Sequence, residues 1–157
     1  IALRKAKAVF FAREKNACGA LPIFAHEKND EIIVAADTLV YIDGEVLGKP
    51  KNFDEAFAML KKLSGRRHTV FTGVAILRGE YEKIFFDATQ VFFRELSDEE
   101  IFSYIATGEP FDKAGAYGVQ ERGAVLVEKI DGDFFTVVGL PISKVWQVLT
   151  LELELKF

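Results

Sequence analysis

Two charged residues frame the stretch "AADTLVYIDGEVLGKP", Ala35 to Pro50. Asp37 follows an apolar run, and Lys49 stands between a glycine and a proline. A carboxylate at the end of a buried strand would lie at the carboxyl edge of a sheet, where open α/β folds bind ligands. There Asp37 could hold a hard divalent ion or orient a water. It could equally form, with Thr38, local hydrogen bonds to the backbone at a strand end. In "LGKP" the glycine permits a turn and the proline keeps Lys49 extended, so the ammonium is carried on a stiff support. It could serve phosphate oxygens as a point charge, or it could be a solvated turn lysine.

Other groups are less specific. "FDKAGAYGVQERG" carries Asp112, Lys113 and Gln120 among Gly115, Gly118 and Gly123. Glycines there could let the backbone approach a ligand, or mark a bulged, twisted strand pair. The segment matches neither GxxxxGK[ST] nor GxGxxG. Arg66, Arg67 and His68 follow a helix C-terminus, where the helix dipole alone favours cations; a structural role is expected of at least one arginine. Thr72 and Gly73 carry only a weak local signal. His26 and His68 lack the spacing of zinc ligands. The serines have no nucleophile-elbow context, and Cys18 has no evident activator.

These residues must be held by a suitable scaffold. The chain has 157 residues, half of them hydrophobic, which suits one compact domain with a sizeable core. The net charge of -4 argues against general affinity for nucleic acid, though not against a small anionic ligand met by a local basic cluster. A single cysteine excludes an intramolecular disulfide framework and fits a reducing cytoplasm. No apolar run approaches the roughly 20 residues that span a bilayer, so no membrane partner is expected. Fifteen phenylalanines against one tryptophan and one methionine are read as core filler.

Residues 2–15 have helical spacing, and "EIIVAAD" reads as a short buried strand. "LVYIDGEVLG" follows as a hairpin turning at Asp43-Gly44. "NFDEAFAMLKKLSG" is a helix capped by Asn52 and stopped by Gly65. Two long strands joined near Gly79 come next, then a helix whose capping box is Ser97 with Glu100. The glycine-rich segment leads into a strand-like stretch with a second tight turn near Gly132, and Pro141 opens a final helix. The interleaving points to an α/β fold with a mixed sheet.

Taken in order, "ALRKAKAV", "AADTLVYIDGEVLGKP", "AFAMLKKLSGRRHTVFTGVAI" and "FDKAGAYGVQERGAVLVEKIDGDFFTVVGLP" resemble the Maf family of nucleoside triphosphate pyrophosphatases, once named for septum formation. The likeness runs from Ala2 to about Leu149. It implies an extended mixed β-sheet flanked by helices with a central cleft, related to the inosine triphosphate pyrophosphatases. It also implies hydrolysis between the α and β phosphates, giving a monophosphate and pyrophosphate, with Mg2+ or Mn2+ as cofactor. Carried over by motif, Asp37 is the metal-binding or water-activating carboxylate, and Lys5 and Lys49 are catalytic cations. Thr38, Gln120, Asp112 and Lys113 would bind substrate. "AADT" with "AGAYGVQ" resembles the branch acting on dTTP and UTP rather than the branch, marked by SDQ, that acts on 7-methyl-GTP.

The implied role is house-cleaning of nucleotide pools in the cytoplasm, with a small-molecule triphosphate as partner and a homodimer compatible with the family. The alternative is a nucleotide-binding regulator of septum formation without significant turnover; an inosine-type triphosphatase and a purely structural domain are further rivals. Two departures stand out. The family's opening strand and S-x-x-R-R phosphate loop do not occur between Ile1 and Phe157, so the chain is read as one Maf-like domain without them. The stretch from Lys5 to Asp37 is longer than the family leads one to expect, and an insertion is placed in "REKNACGALPIFAHEKND".

Overall fold

The computed structural model describes residues 31–155. The helix expected over 2–15, Lys5, Cys18, His26 and most of the expected insertion lie outside them. The described chain runs β1 (Ile33–Ile42), β2 (Glu45–Leu47), α1 (Phe53–Leu63), β3 (Arg67–Arg78), β4 (Tyr81–Phe93), α2 (Asp98–Ile105), β5 (Val127–Asp131), α3 (Phe134–Val138) and α4 (Ile142–Gln147). The strands form one sheet in the order β2-β1-β3-β4-β5, antiparallel at β1–β2 and at β4–β5. Helices and a sheet together make the α/β fold that was expected.

Contacts divide the described residues into two units, residues 31–37 with 73–86, and residues 38–72 with 87–155. In the first, Ile33, Ala75 and Leu77 form a small buried cluster with Ala35 packed against it. The second holds the main core. Val40 and Ile42 of β1 meet Leu60 and Leu63 of α1, Val91 and Phe93 of β4, and Ile101 and Ile105 of α2. The spacing explains the packing. Ala56, Leu60 and Leu63 recur at helical intervals along one stripe of α1, while His68, Val70 and Thr72 are buried at every second position of β3.

Local chemistry fixes the boundaries. Asn52 accepts a hydrogen bond from Glu55 N and caps α1, and Ser97 and Glu100 form a reciprocal capping box on α2. Asp43 and Gly44 both have positive φ, +52° and +83°, as a two-residue hairpin turn requires. Arg66 donates to both carboxylate oxygens of Asp43, at 2.7 and 2.8 Å, and clamps that turn to the end of α1. One of the two arginines is therefore structural.

Two readings of the sequence are corrected. The expected break after Asp37 is absent: β1 runs unbroken from Ile33 to Ile42, so Asp37 lies within a strand rather than beyond its end. Nothing between Ala36 and Ile42 stops a strand; the next turn residues are Asp43 and Gly44. The strand-like reading of "DFFTVVG" also fails. After β5 the chain turns at Gly132, φ +130°, and Asp133 accepts from Phe135 N to start the short helix α3.

Candidate functional site

The Lys49 turn is fastened to the glycine-rich segment. Gly115 N donates to Gly48 O at 3.0 Å. Gly115 has φ +70°, and a Cβ there would come within 2.9 Å of Val40, so only glycine lets the loop settle on β1 at this point. Beside it Lys113 donates to Asp112 at 2.7 Å. That hydrogen bond holds the Asp112 carboxyl below the usual carboxylate range, with the charge of Lys49 adding to the effect. Lys49, Asp112 and Lys113, separated by more than sixty residues of sequence, thus share one electrostatic neighbourhood. Lys49 itself is exposed and makes no hydrogen bond among the described residues.

A buried knot fastens the far end of this segment. Tyr104 OH donates to Glu109 Oε1 at 2.8 Å and accepts from Gly118 N at 3.1 Å. The Glu109 carboxylate also accepts from Arg122 N and Gly123 N, at 3.0 and 3.1 Å. A Cβ on Gly123 would lie 2.3 Å from Gly118 O, which forbids any other residue there. Burial, with Glu109 reinforcing it, raises the Tyr104 phenol above its ordinary value. Gln120 lies between these anchors, exposed and without a side-chain partner among the described residues.

Beneath the loop, Tyr117 OH lies 2.7 Å from His68 Nε2. His68 Nδ1 is buried without a partner, and burial lowers the ring's pKa from 6.5 to about 4. The imidazole is therefore neutral at neutral pH. It is a core residue supporting the loop, not a base open to solvent.

Thr38 belongs to a different arrangement, a ladder of hydroxyls. Its Oγ1 lies 2.8 Å from Thr72 Oγ1, and Thr72 donates to Thr136 O at 2.7 Å. Thr136 Oγ1 in turn donates to Asp87 Oδ2 at 2.8 Å, with Asp133 Oδ2 at 3.1 Å. Lys144 donates to Asp87 Oδ1 at 2.7 Å. Burial tends to raise the Asp87 pKa, but the hydrogen bonds from Lys144, Thr136 and Ala88 N outweigh it, and the net shift is downward. Sequence reasoning missed Asp87, Thr136 and Lys144. The one available signal was an acid inside an otherwise apolar and polar-alternating strand, "KIFFDATQVFF".

The structure thus brings Lys49, Asp112 and Lys113 together and places Thr38 in the hydroxyl ladder. Asp37 is half-buried in β1, immediately before Thr38. Among the described residues no three or more His, Cys, Asp or Glu side chains gather as a metal site. A cavity of about 400 Å³ opens between α2 and residues 122–126, beside Arg94, Tyr104 and Arg122, but no predicted site residue lines it. No helix among the described residues is long and apolar enough to cross a membrane.

Comparison with known proteins adds to this geometry. The family model described as "Maf-like protein" matches residues 1–152. The "dTTP/UTP pyrophosphatase" of Thermoanaerobacter sp. (strain X514) is 52% identical over 139 residues, 87% of this chain and 73% of that protein. The protein of the same name from Thermosipho melanesiensis is 57% identical over 122 residues, 78% of this chain and 67% of its own. That from Thermotoga maritima is 52% identical over 128 residues, covering 81% and 63%.

Proposed function

The chain belongs to the Maf family, and on that premise we propose that it is a nucleoside triphosphate pyrophosphatase that hydrolyses dTTP and UTP to the monophosphate and pyrophosphate. The observation that carries this reading is identity of 52–57% to proteins named dTTP/UTP pyrophosphatase across 78–87% of the chain.

The chemical task is attack of water on a phosphorus surrounded by anionic oxygens, for which positioning and charge neutralisation supply most of the catalysis. Lys49, on its braced turn, offsets charge that grows on the pyrophosphate leaving group. Lys113, held by Asp112, adds positive charge close by. Asp37 orients the attacking water, and Lys5 is a further catalytic cation. A magnesium ion is commonly held by one or two carboxylates together with substrate phosphates. Asp37 would hold it, and the ion would neutralise phosphate charge when bound. Gln120, exposed on the loop, contacts the substrate. The enzyme would act on small nucleotides in the cytoplasm, as a house-cleaning activity.

The test is pyrophosphate release from a panel of dTTP, UTP and ITP by the full-length protein and by Asp37→Asn. The wild type should release pyrophosphate from dTTP and UTP in preference to ITP, and the variant should lose nearly all turnover while keeping its fold. Tight nucleotide binding without pyrophosphate release by the wild type would instead favour a regulator. Near-wild-type rates in the variant would defeat the assignment of Asp37.

A further inference from the structure

Three donors converge on the Glu109 carboxylate. Its Oε1 accepts from Tyr104 OH at 2.8 Å and from Gly123 N at 3.1 Å, and its Oε2 accepts from Arg122 N at 3.0 Å. Every partner gives a proton, so the site calls for a group that only accepts. A glutamine would turn N–H groups toward at least one of those donors.

The knot also has a direction. A phenol owns one proton. The Tyr104 proton is committed to the carboxylate, which leaves a lone pair for Gly118 N at 3.1 Å. Tyr104 is 5% exposed, so little solvent competes for that bond. Glu109 thereby holds Gly118 through Tyr104, and it stands beside Gly118 directly: a Cβ at that position would lie 3.3 Å from Oε1.

Gly118 is where Lys113 rests. The same Cβ would lie 3.2 Å from Lys113 Cε and 3.7 Å from its Cδ, so the end of the lysine chain packs over the bare glycine backbone. Its ammonium donates to Asp112 at 2.7 Å. Lys113 is thus supported along its methylenes by Gly118 and at its tip by Asp112. A lysine has many rotamers, and restricting them in advance removes a cost that binding would otherwise meet.

We infer that Glu109 and Tyr104 are positioning residues for the ammonium of Lys113: they hold Gly118 beneath its side chain and so set its reach toward substrate phosphates. The inference rests on the pyrophosphatase reading, in which Lys113 meets the triphosphate. Glu109 and Tyr104 act through Lys113 and need not touch substrate themselves.

The experiment is a double-mutant cycle on kcat/KM for dTTP in the full-length protein. It compares the wild type, Tyr104→Phe, Glu109→Gln, Lys113→Met, and each of the first two substitutions combined with Lys113→Met. Tyr104→Phe and Glu109→Gln should each lower kcat/KM about tenfold, the scale of one lost hydrogen bond, chiefly through a raised KM. Added to Lys113→Met, the same changes should cost less than about twofold, because no ammonium remains to be aimed. A merely structural role damages both backgrounds alike, so losses of equal size with and without Lys113→Met overturn the inference. Wild-type kcat/KM in Lys113→Met alone overturns it too, since nothing would then need positioning. If the wild type releases no pyrophosphate from dTTP, the pyrophosphatase reading fails by itself. Calorimetric binding of inorganic triphosphate to the same proteins, which needs no turnover, then decides the role of Glu109 and Tyr104. A loss of affinity in Tyr104→Phe that disappears on adding Lys113→Met supports it; equal losses in both backgrounds, or no binding by the wild type, overturn it.

Discussion

Protonating one buried ring should cost this protein a large share of its stability. His68 is 2% exposed, its Nε2 is engaged with Tyr117 OH, and the ring packs edge-on against Phe93 and Tyr117. Nδ1 has no partner, so the imidazolium would leave an N–H buried and unpaired. Burial lowers the pKa from 6.5 to about 4 in the folded state. Between those values the unfolded chain binds a proton that the folded chain refuses, so stability rises with pH across the window and is lost as pH falls. At about 1.4 kcal/mol per unit, the gap corresponds to about 3 kcal/mol. The assay is urea unfolding of the wild type and His68→Phe at a series of pH values from about 7 to about 4. The variant fills the same aromatic site but does not titrate. It leaves Tyr117 OH unpaired, which is a constant offset independent of pH. Carboxylates that titrate at the acid end act in both proteins and cancel in the difference. The wild-type curve should therefore fall more steeply than the variant's below about pH 6.5. Parallel curves across that window would refute the reasoning.

Three further outcomes follow from the same packing. Gly115→Ala should lose about 1–3 kcal/mol, because it combines a positive φ with a Cβ at 2.9 Å from Val40; urea midpoints measure it, and a neutral result would mean that the loop moves freely off β1. Gly123→Ala should destabilise at least as strongly, because its Cβ would meet the backbone oxygen of Gly118 at 2.3 Å, and hydrogen exchange at Gly118 and Gly123 should accelerate as the Tyr104–Glu109 knot opens. Lys144→Met strips the half-buried Asp87 of its ammonium and should lower stability by about 1 kcal/mol at neutral pH. Because the folded Asp87 pKa is depressed, the wild-type contribution is present above the ordinary carboxylate pKa and is lost as pH falls through the lower folded value; the variant's acid limb should be flatter by that amount, and unfolding against pH reads it.

What the sequence made legible was local chemistry. Asn52, the Ser97–Glu100 box, Asp43-Gly44 and Gly65 each act within a few residues of themselves, and each marks an element boundary where it was expected. Lys49 stood out because Gly48 and Pro50 flank it, and its turn is tied to the glycine-rich segment through Gly115 N and Gly48 O. The error at Asp37 has the same origin in reverse: an acid was taken as the end of a strand, although Thr38, Leu39 and Val40 continue it without a breaker. The hydroxyl ladder was not legible at all. Thr38, Thr72 and Thr136 meet only because β1 and β3 are neighbours in the sheet and α3 returns to them, at separations of 34 and 64 residues. Threonine is common in strands for its branched Cβ alone, so nothing in its identity announces a proton donor.

The Lys49 turn and the glycine-rich loop are one mechanical object, and this bears on how substrate charge is read. Gly115 N pins Gly48 O, Gly115 rests on Val40, and Tyr117 rests on His68. Lys113 is thereby held at the level of Lys49, and Asp112 sits where both ammonium groups lower its pKa. Two lysines near one another would repel in the free protein, and the carboxylate between them relieves that. A triphosphate arriving at this face would meet two lysines whose backbone segments are tied together by the Gly115–Gly48 hydrogen bond. Replacing Asp112 by Asn should then leave the fold intact but raise the mutual repulsion of the lysines, strengthening the attraction for a polyanion. The expected result is a lower KM for dTTP with a steeper salt dependence. A raised KM at low salt would instead show that Asp112 positions Lys113 for contact, and that its ion pair, not the local net charge, governs capture.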